Sequence, residues 1–233
     1  MADVTPPGLV SALDLCRVEL PDWHPRHDDG WCPILAHLIH HPDGPILVDT
    51  GVGDGSELID ELYQPTIVPV VHALNAVGVD ERDIVTIVNT HLHFDHCGQN
   101  DSLPHASVHV QAAEIEAARA EFYTVPEWAE IEPVRRRVLD GDEEIAPGVR
   151  ILSTPGHTPG HQSVLVDLTD GFPTLLVGQC CYDCAEFARG EVVVADLGHI
   201  DLTAAATASL DRLRGLDIAA AHFSHDPTVW RPI

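Results

Sequence analysis

A chain of 233 residues in which 45% of the side chains are hydrophobic can bury one sizeable core, so we expect a single compact domain. Its 12 Lys and Arg residues stand against 37 Asp and Glu residues, which leaves a net charge of −25, and no lysine occurs. This charge repels phosphate backbones and anionic bilayers, which argues against nucleic acid and membranes as partners.

Targeting and cysteine signals are weak. The amino-terminal residues contain no basic segment followed by an apolar run, and no stretch approaches the ~18 apolar residues of a membrane span. We therefore predict a cytoplasmic protein. The cysteines lack the spacing of an extracellular disulfide framework. Cys181 and Cys184 form a C-x-x-C pair, which we interpret as buried thiols, with a redox or zinc role as the alternative.

In the first half, short apolar runs separated by turn signals predict alternating strands and helices. Strands are predicted at 34–40, 45–49 and 84–88 and around Val108 and Val110, and helices at 57–63, 66–77 and, in two pieces split near 124–126, 111–138. The HPDG between the first two strands indicates a hairpin turn, Ser56 an N-cap, and Pro69 a first helical turn. We interpret Arg135 to Arg137 as a solvated helix face.

The second half continues in the same style. Strands are predicted at 150–154, 163–168, 174–177 and 218–221, with a turn at 169–171 and an Ala-rich helix at 201–214. Interleaved helices and more numerous strands favour a layered α/β sandwich with sheets inside and helices outside. We expect one domain over 1–233, composed of two similar halves at about 1–145 and 146–233.

The segment HLHFDHCG at 91–98 carries the strongest chemical signal. It follows a predicted buried strand and offers His91, His93, Asp95 and His96 within six residues. Imidazole and carboxylate groups are ligands of zinc-class ions, and a loop leaving a strand end can turn several of them inward. The alternating His91 and His93 suit one metal, and Asp95 with His96 suits a neighbouring one.

Two further strand ends present histidines. TPGHTPGH at 154–161 forms a tight loop that fixes His157, while His161 is expected to make a structural hydrogen bond. HFSHDP at 222–227 presents His225, with His222 as the weaker candidate. Because sites in layered α/β folds gather at strand ends, we expect these loops to converge on one metal centre.

The motifs H-x-H-x-D-H and TPGHTPGH, the late histidine and LVDTG at 47–51 together resemble the metallo-β-lactamase superfamily. HLHFDHCGQN and SHDP are most similar to the N-acyl homoserine lactonases, the quorum-quenching enzymes. The resemblance covers about residues 34 to 226. It implies a four-layer αββα sandwich, the metallo-β-lactamase fold, and a hydrolase with two zinc ions, for which iron, cobalt or manganese are the alternatives.

The resemblance also implies roles for individual residues. His91, His93 and His157 would hold the first metal, and Asp95, His96 and His225 the second. Asp49 would orient a ligand imidazole, and Tyr182 would contact the substrate carbonyl. A hydroxide bridging the two metals would attack the lactone carbonyl, and Asp95 would relay a proton to the leaving alkoxide.

Gln179 departs from the pattern, since the family has an aspartate there that bridges both metals. A neutral amide should weaken the second site and leave a bridging hydroxide more acidic. Three outcomes are open: Gln179 coordinates one ion of a dinuclear site, which we favour; one metal is tight and the other loose; or Asp183 or Cys180 substitutes.

The expected partner is a small-molecule lactone or ester, and a homodimer is a further candidate. Aromatic residues are either core or the lining of an acyl groove; they are Trp23, Trp31, Phe122, Tyr123 and Trp128. Rival substrates are a pyridoxolactone-like lactone, a thioester and a phosphotriester. Less favoured alternatives are an iron-dependent redox protein, a silent binding protein and a nuclease, the last opposed by the charge of −25.

Overall fold

The computed structural model describes residues 10–167, 171–192 and 201–232. Its strands are β1 (Val10–Glu19), β2 (Trp31–Ile39), β3 (Ile46–Val48), β4 (Thr66–Ile67), β5 (Thr86–Val88), β6 (Ser107–Gln111), β7 (Arg136–Leu139), β8 (Glu143–Ala146), β9 (Val149–Ser153), β10 (Gln162–Val166), β11 (Thr174–Leu176) and β12 (Ala220–His222). Its helices are α1 (Glu57–Tyr63), α2 (Val70–Ala76), α3 (Phe94–Cys97), α4 (Ala112–Ala117), α5 (Pro126–Ala129), α6 (Cys184–Arg189) and α7 (Thr203–Arg214).

The strands form two sheets. In these described ranges, one sheet has seven strands in the order β4-β1-β2-β3-β5-β6-β7, and the other has five in the order β12-β11-β10-β9-β8. Strands β3, β5, β6 and β7 run parallel, as do β11 and β12. Because parallel strands end at the same edge of a sheet, the loops that follow them are brought side by side.

Three apolar clusters create the layers. Between the sheets, Val48 and Val88 of the first pack with Ile151 and Val164 of the second. The outer face of the first sheet is covered by a cluster that includes α2, and that of the second by residues of α6 and α7. The arrangement is helix, sheet, sheet, helix, because each sheet buries one face on the other and one face under helices.

Several predicted elements are found with different bounds. The hairpin of β2 and β3 is present, and the Ser56 hydroxyl caps α1 by accepting from the backbone N–H of Ile59 at 3.4 Å. The helix expected at 66–77 begins only at Val70, because Thr66 and Ile67 pair with β1 instead. The predicted strand at 163–168 extends beyond the last described residue of its segment, and two residues of the turn at 169–171 lie outside the described residues.

The prediction of a helix through 111–138 with a solvated arginine face was wrong at its carboxyl end. Arg135 is buried and donates to the carbonyls of Asn100 and Leu103 at 2.9 and 3.0 Å and to the Asp101 carboxylate at 3.0 Å. The next residues form the edge strand β7, parallel to β6. A run of three arginines suggests an exposed surface. Arg135 is buried instead, because its guanidinium hydrogen-bonds carbonyls that would otherwise lack partners.

All six cysteines are free thiols. Cys181 lies in the core, while Cys184 begins α6 and is partly exposed. Burial raises the pKa of Cys180 to about 11 and that of Cys16 to about 12. Burial, Asp226 and Asp183 raise the pKa of Cys184. None of the helices in the described ranges is both long and apolar enough to cross a bilayer.

Candidate metal centre

The candidate ligands lie in the loops that follow four strands. The loop after β5 carries His91, His93, Asp95 and His96, with the last two in the short helix α3. The loop after β9 carries His157, the loop after β11 carries Gln179 and Tyr182, and the segment after β12 carries His225. Ligands thus come from both sheets, and the centre lies where the loops of the two sheets meet.

The first ligand group comprises His91, His93 and His157. Nε2 of His91 and Nε2 of His157 lie 3.0 and 3.1 Å from the same Nδ1 of His93. Burial lowers the pKa of His93 to about 4 and lowers those of His91 and His157 well below the usual value. Three neutral rings whose nitrogens converge on one point offer lone pairs to a cation there.

The second group comprises Asp95, His96 and His225. Asp95 Oδ2 lies 3.5 Å from His96 Nε2 and 3.8 Å from His225 Nε2. His225 Nδ1 is 3.1 Å from the carbonyl of Pro33, which accepts its proton, so Nε2 carries the lone pair and points to Asp95. That buried Nε2 has no hydrogen-bond partner in the described part of the chain. A buried nitrogen left without a partner fits a metal ligand.

Together these atoms fit two neighbouring zinc-class ions. In each group the three ligand atoms lie within 4.8 Å of one another. The donors are five imidazoles and one carboxylate, a set suited to zinc and its neighbours among the divalent metals. The structure therefore brings together all six histidine and aspartate residues that were expected to be ligands, although their roles as ligands stay a prediction.

Asp49 contacts the second ligand group through His96, at the ring nitrogen that faces away from the centre. Its Oδ2 lies 2.8 Å from His96 Nδ1, and its carboxylate also accepts from the backbone N–H and the hydroxyl of Thr90 at 2.7 and 2.8 Å. Burial disfavours the charged form of His96, but Asp95 and Asp49 outweigh it and raise the pKa of this imidazole to about 10. A carboxylate in this place directs the opposite ring nitrogen, Nε2, into the centre.

The sequence matches the family described as the metallo-beta-lactamase superfamily over residues 29–225. The chain belongs to this superfamily. This confirms the family and the αββα fold expected from the motifs.

Several similar proteins are named as lactonases or lactone hydrolases. An N-acyl homoserine lactonase of Bacillus sp is 35% identical over 167 residues, which is 66% of each chain. The N-acyl homoserine lactonase AttM of Rhizobium radiobacter is 27% identical over 230 residues, covering 85% of this chain and 83% of that one. A solved N-acyl homoserine lactone hydrolase, with N-hexanoyl-L-homoserine at its catalytic metal center, has a TM-score of 0.77 at 26% identity and covers 94% of this chain and 93% of its own.

Gln179 stands where the superfamily resemblance led us to expect an aspartate. Its Oε1 lies 3.1 Å from His96 Nε2, so the amide borders the second ligand group. Neither alternative residue faces the same way: Asp183 caps α6 by accepting from Glu186 N–H at 2.8 Å, and Cys180 Sγ lies 3.9 Å from the carbonyl of Thr154. Of these three residues, Gln179 is thus the one that borders the ligand group.

His161 and His222 do not join the ligand groups. His161 Nε2 accepts from the Gln179 backbone N–H at 2.9 Å, and its Nδ1 lies 3.1 Å from the carbonyl of Thr154. With both nitrogens occupied, His161 holds the loop after β11 against the loop after β9, which is the structural hydrogen bonding expected from the sequence. His222 packs against the buried His37, with ring centroids 5.6 Å apart.

Glu114 was missed by sequence reasoning. Its buried carboxylate accepts from Leu92 N–H at 2.8 Å, from the Thr158 hydroxyl at 2.8 Å and from Gly160 N–H at 3.1 Å, and Tyr123 donates to it as well. Burial raises the pKa of Glu114, and these hydrogen bonds oppose that effect. In the sequence of α4, Glu114 looks no different from the exposed Glu116, so the sequence carries no signal of this role.

The five aromatic candidates separate into different environments. Tyr123 is a core residue whose ring lies 4.7 Å from that of His93, and Trp128 is partly buried between two apolar clusters. Phe122 is 84% exposed and Trp31 is 45% exposed, and Arg17 lies over the Trp31 ring. Trp23 packs edge-on against Tyr63, whose ring lies 4.6 Å from that of Phe94 beside the ligands.

Proposed function

We propose that this protein is a zinc-dependent lactonase that opens N-acyl homoserine lactones, a quorum-quenching activity. The observation that carries the proposal is the pair of converging ligand groups, His91 with His93 and His157 beside Asp95 with His96 and His225. The lactonase relatives support the substrate class, because they are 26 to 35% identical to this chain over 66 to 94% of its length.

Two divalent cations bound here would supply Lewis acidity and a water of lowered pKa near neutral pH. Lactone hydrolysis adds one water: the acyl carbon gains its oxygen, the ring C–O bond breaks, and the leaving alkoxide takes a proton. Two side chains of this protein would assist these steps. We assign Tyr182 as the hydroxyl donor to the substrate carbonyl and Asp95 as the carboxylate that passes the proton to the alkoxide.

The surroundings of Tyr182 support this assignment. The Tyr182 ring lies 5.2 Å from the ring of His225, which places the phenol beside the second ligand group. Burial and the charge of Asp95 raise the pKa of Tyr182, so its hydroxyl keeps its proton at neutral pH and can donate it in a hydrogen bond. The Trp23, Tyr63 and Phe94 side chains form an apolar wall suited to an acyl chain.

The experiment is acid release, followed with a pH indicator, by protein loaded with zinc or cobalt. The panel holds N-acyl homoserine lactones of several chain lengths, a simple γ-lactone, an aryl ester and a thioester. We expect rapid opening of the homoserine lactones that a chelator abolishes and that His157→Ala lowers by at least about 100-fold.

Turnover of the ester or thioester alone would reassign the substrate. No turnover of the panel by protein with two bound metals would overturn the lactonase proposal. A cytoplasmic location and a homodimer stay predictions, as does the division into two similar halves. The zinc content of protein purified without added metal would test the choice of zinc over iron, cobalt or manganese.

A further inference from the structure

His24, in the loop between β1 and β2, contacts the hydroxyl of Tyr182. Nε2 of His24 lies 3.3 Å from the Tyr182 hydroxyl oxygen, and the two rings meet edge to face with centroids 6.1 Å apart. His24 belongs to none of the motifs that carry the metal ligands, and its side chain is partly buried. The contact joins residues that are 158 positions apart in the chain.

A backbone hydrogen bond determines which ring nitrogen of His24 carries the proton. The N–H of Arg26 donates to Nδ1 of His24 at 3.1 Å, so Nδ1 must present a lone pair. In a neutral imidazole the proton then resides on Nε2. Burial lowers the pKa of His24, which favours the neutral ring. His24 therefore donates through Nε2 to the Tyr182 oxygen, which accepts.

Arg26 fastens this loop to the segment that carries Tyr182. Its guanidinium lies 3.1 Å from the Asp183 carboxylate and 3.5 Å from that of Glu186, and its Cζ lies 4.9 Å from the centre of the Tyr182 ring. Glu186 in turn accepts from the Tyr182 backbone N–H at 2.6 Å. Because charge-assisted bonds surround the ring, the distance between His24 and Tyr182 is fixed by the fold.

We propose that His24 is a positioning residue that acts through Tyr182. A tyrosine hydroxyl has one proton to donate, and the oxygen can also accept. With His24 donating to the oxygen, the single O–H of Tyr182 is not used on His24 and can be donated to the carbonyl of the substrate. The inference rests on the proposed lactonase function, in which Tyr182 donates to that carbonyl.

A double-mutant cycle with His24→Phe and Tyr182→Phe tests the proposal on the metal-loaded enzyme. We expect His24→Phe to lower kcat about 10-fold with little change in KM, and to cause no further loss once Tyr182 is phenylalanine. His24→Gln, which retains an N–H donor, should recover part of the loss. His72→Phe, an exposed histidine of α2, is the matched control and should retain wild-type kcat. Metal content is measured for each variant, so that lost metal is not mistaken for lost positioning.

Additive losses in the cycle would overturn the proposal, since His24 would then act independently of the Tyr182 hydroxyl. A second readout does not need turnover: long-range proton–nitrogen NMR of histidine-labelled protein, with His24 assigned by its absence in His24→Gln. We expect its proton on Nε2, and a proton on Nδ1 would overturn the proposal. If the wild-type enzyme opens no lactone, the lactonase proposal fails, while the NMR result still decides the direction of the His24 hydrogen bond.

Discussion

The carboxylate of Glu114 accepts a hydrogen bond of 2.8 Å from the hydroxyl of Thr158, and so ties the loop that carries His157 to α4. The same carboxylate accepts from the N–H of Leu92, which lies between His91 and His93. One buried group therefore sets the separation of the two loops that carry the first ligand group.

Glu114→Gln should weaken this arrangement. An amide can accept at one oxygen only, so some of the four donors around it lose their partner, and each buried donor without a partner costs roughly 1–3 kcal/mol. We expect a loss of about 2–4 kcal/mol in the free energy of unfolding, measured with urea on metal-free protein. Glu116→Gln, at an exposed position of α4 paired with Arg119, is the control and should change it by less than about 0.5 kcal/mol. Equal effects of the two variants would contradict the role given to Glu114.

Asp49→Asn should release a metal more readily. The carboxylate lies 2.8 Å from His96 Nδ1 and directs the opposite nitrogen toward the centre, and loss of such a partner typically costs about 10–100-fold in metal affinity or activity. Competition with a chromogenic chelator measures the affinity of each metal. Asp14→Asn, an exposed carboxylate of β1, should leave both affinities unchanged. An unchanged affinity in Asp49→Asn would show that Asp49 supports the loop but not the ligand.

Gln179→Asp should strengthen the hold on the second metal. A carboxylate adds one negative charge at a position 3.1 Å from His96 Nε2, where Asp95 is the single carboxylate among the six ligand candidates of the described chain. We expect retention of the second metal against a chelator to improve by at least about 10-fold. Gln179→Asn has the length of aspartate without its charge and should give no improvement. If Gln179→Asn improves metal retention equally, the shorter side chain and not its negative charge is responsible for the improvement.

His37 should make the folded protein sensitive to acid. Burial, aided by His222, lowers the pKa of His37 to about 3, whereas an unfolded histidine titrates near ~6.5. Because the unfolded chain binds more protons in this interval, the contribution of His37 to stability is fully present above pH ~6.5 and decreases as the pH falls toward 3.

The test compares urea midpoints of metal-free wild-type protein and His37→Gln over this pH range. We expect the variant to lose less stability on acidification than the wild type. His105→Gln, at an exposed histidine, should follow the wild-type curve. Parallel curves for wild type and His37→Gln would contradict a neutral, buried His37.

The sequence predicted the site residues that lie close together in the chain, but it did not predict contacts between residues far apart in the chain. The spacing of His91, His93, Asp95 and His96 identified a metal centre because all four residues follow one strand. The buried arginine at 135 and the glutamate at 114 were not recognised, since all their partners except Tyr123 lie 22 to 46 residues away and charge suggests exposure. The contact between His24 and Tyr182 likewise depends on how two loops meet.

The uneven burial of the cysteines has a practical consequence for spectroscopy. Thiol-directed dyes react with thiolates that they can reach, and Cys184 is the one thiol of the six that is not buried. Its raised pKa means that mildly alkaline buffer would be needed for efficient coupling. A fluorophore attached there would sit two residues from Tyr182 at the start of α6, and its emission would report on ligand entry without any engineered attachment site.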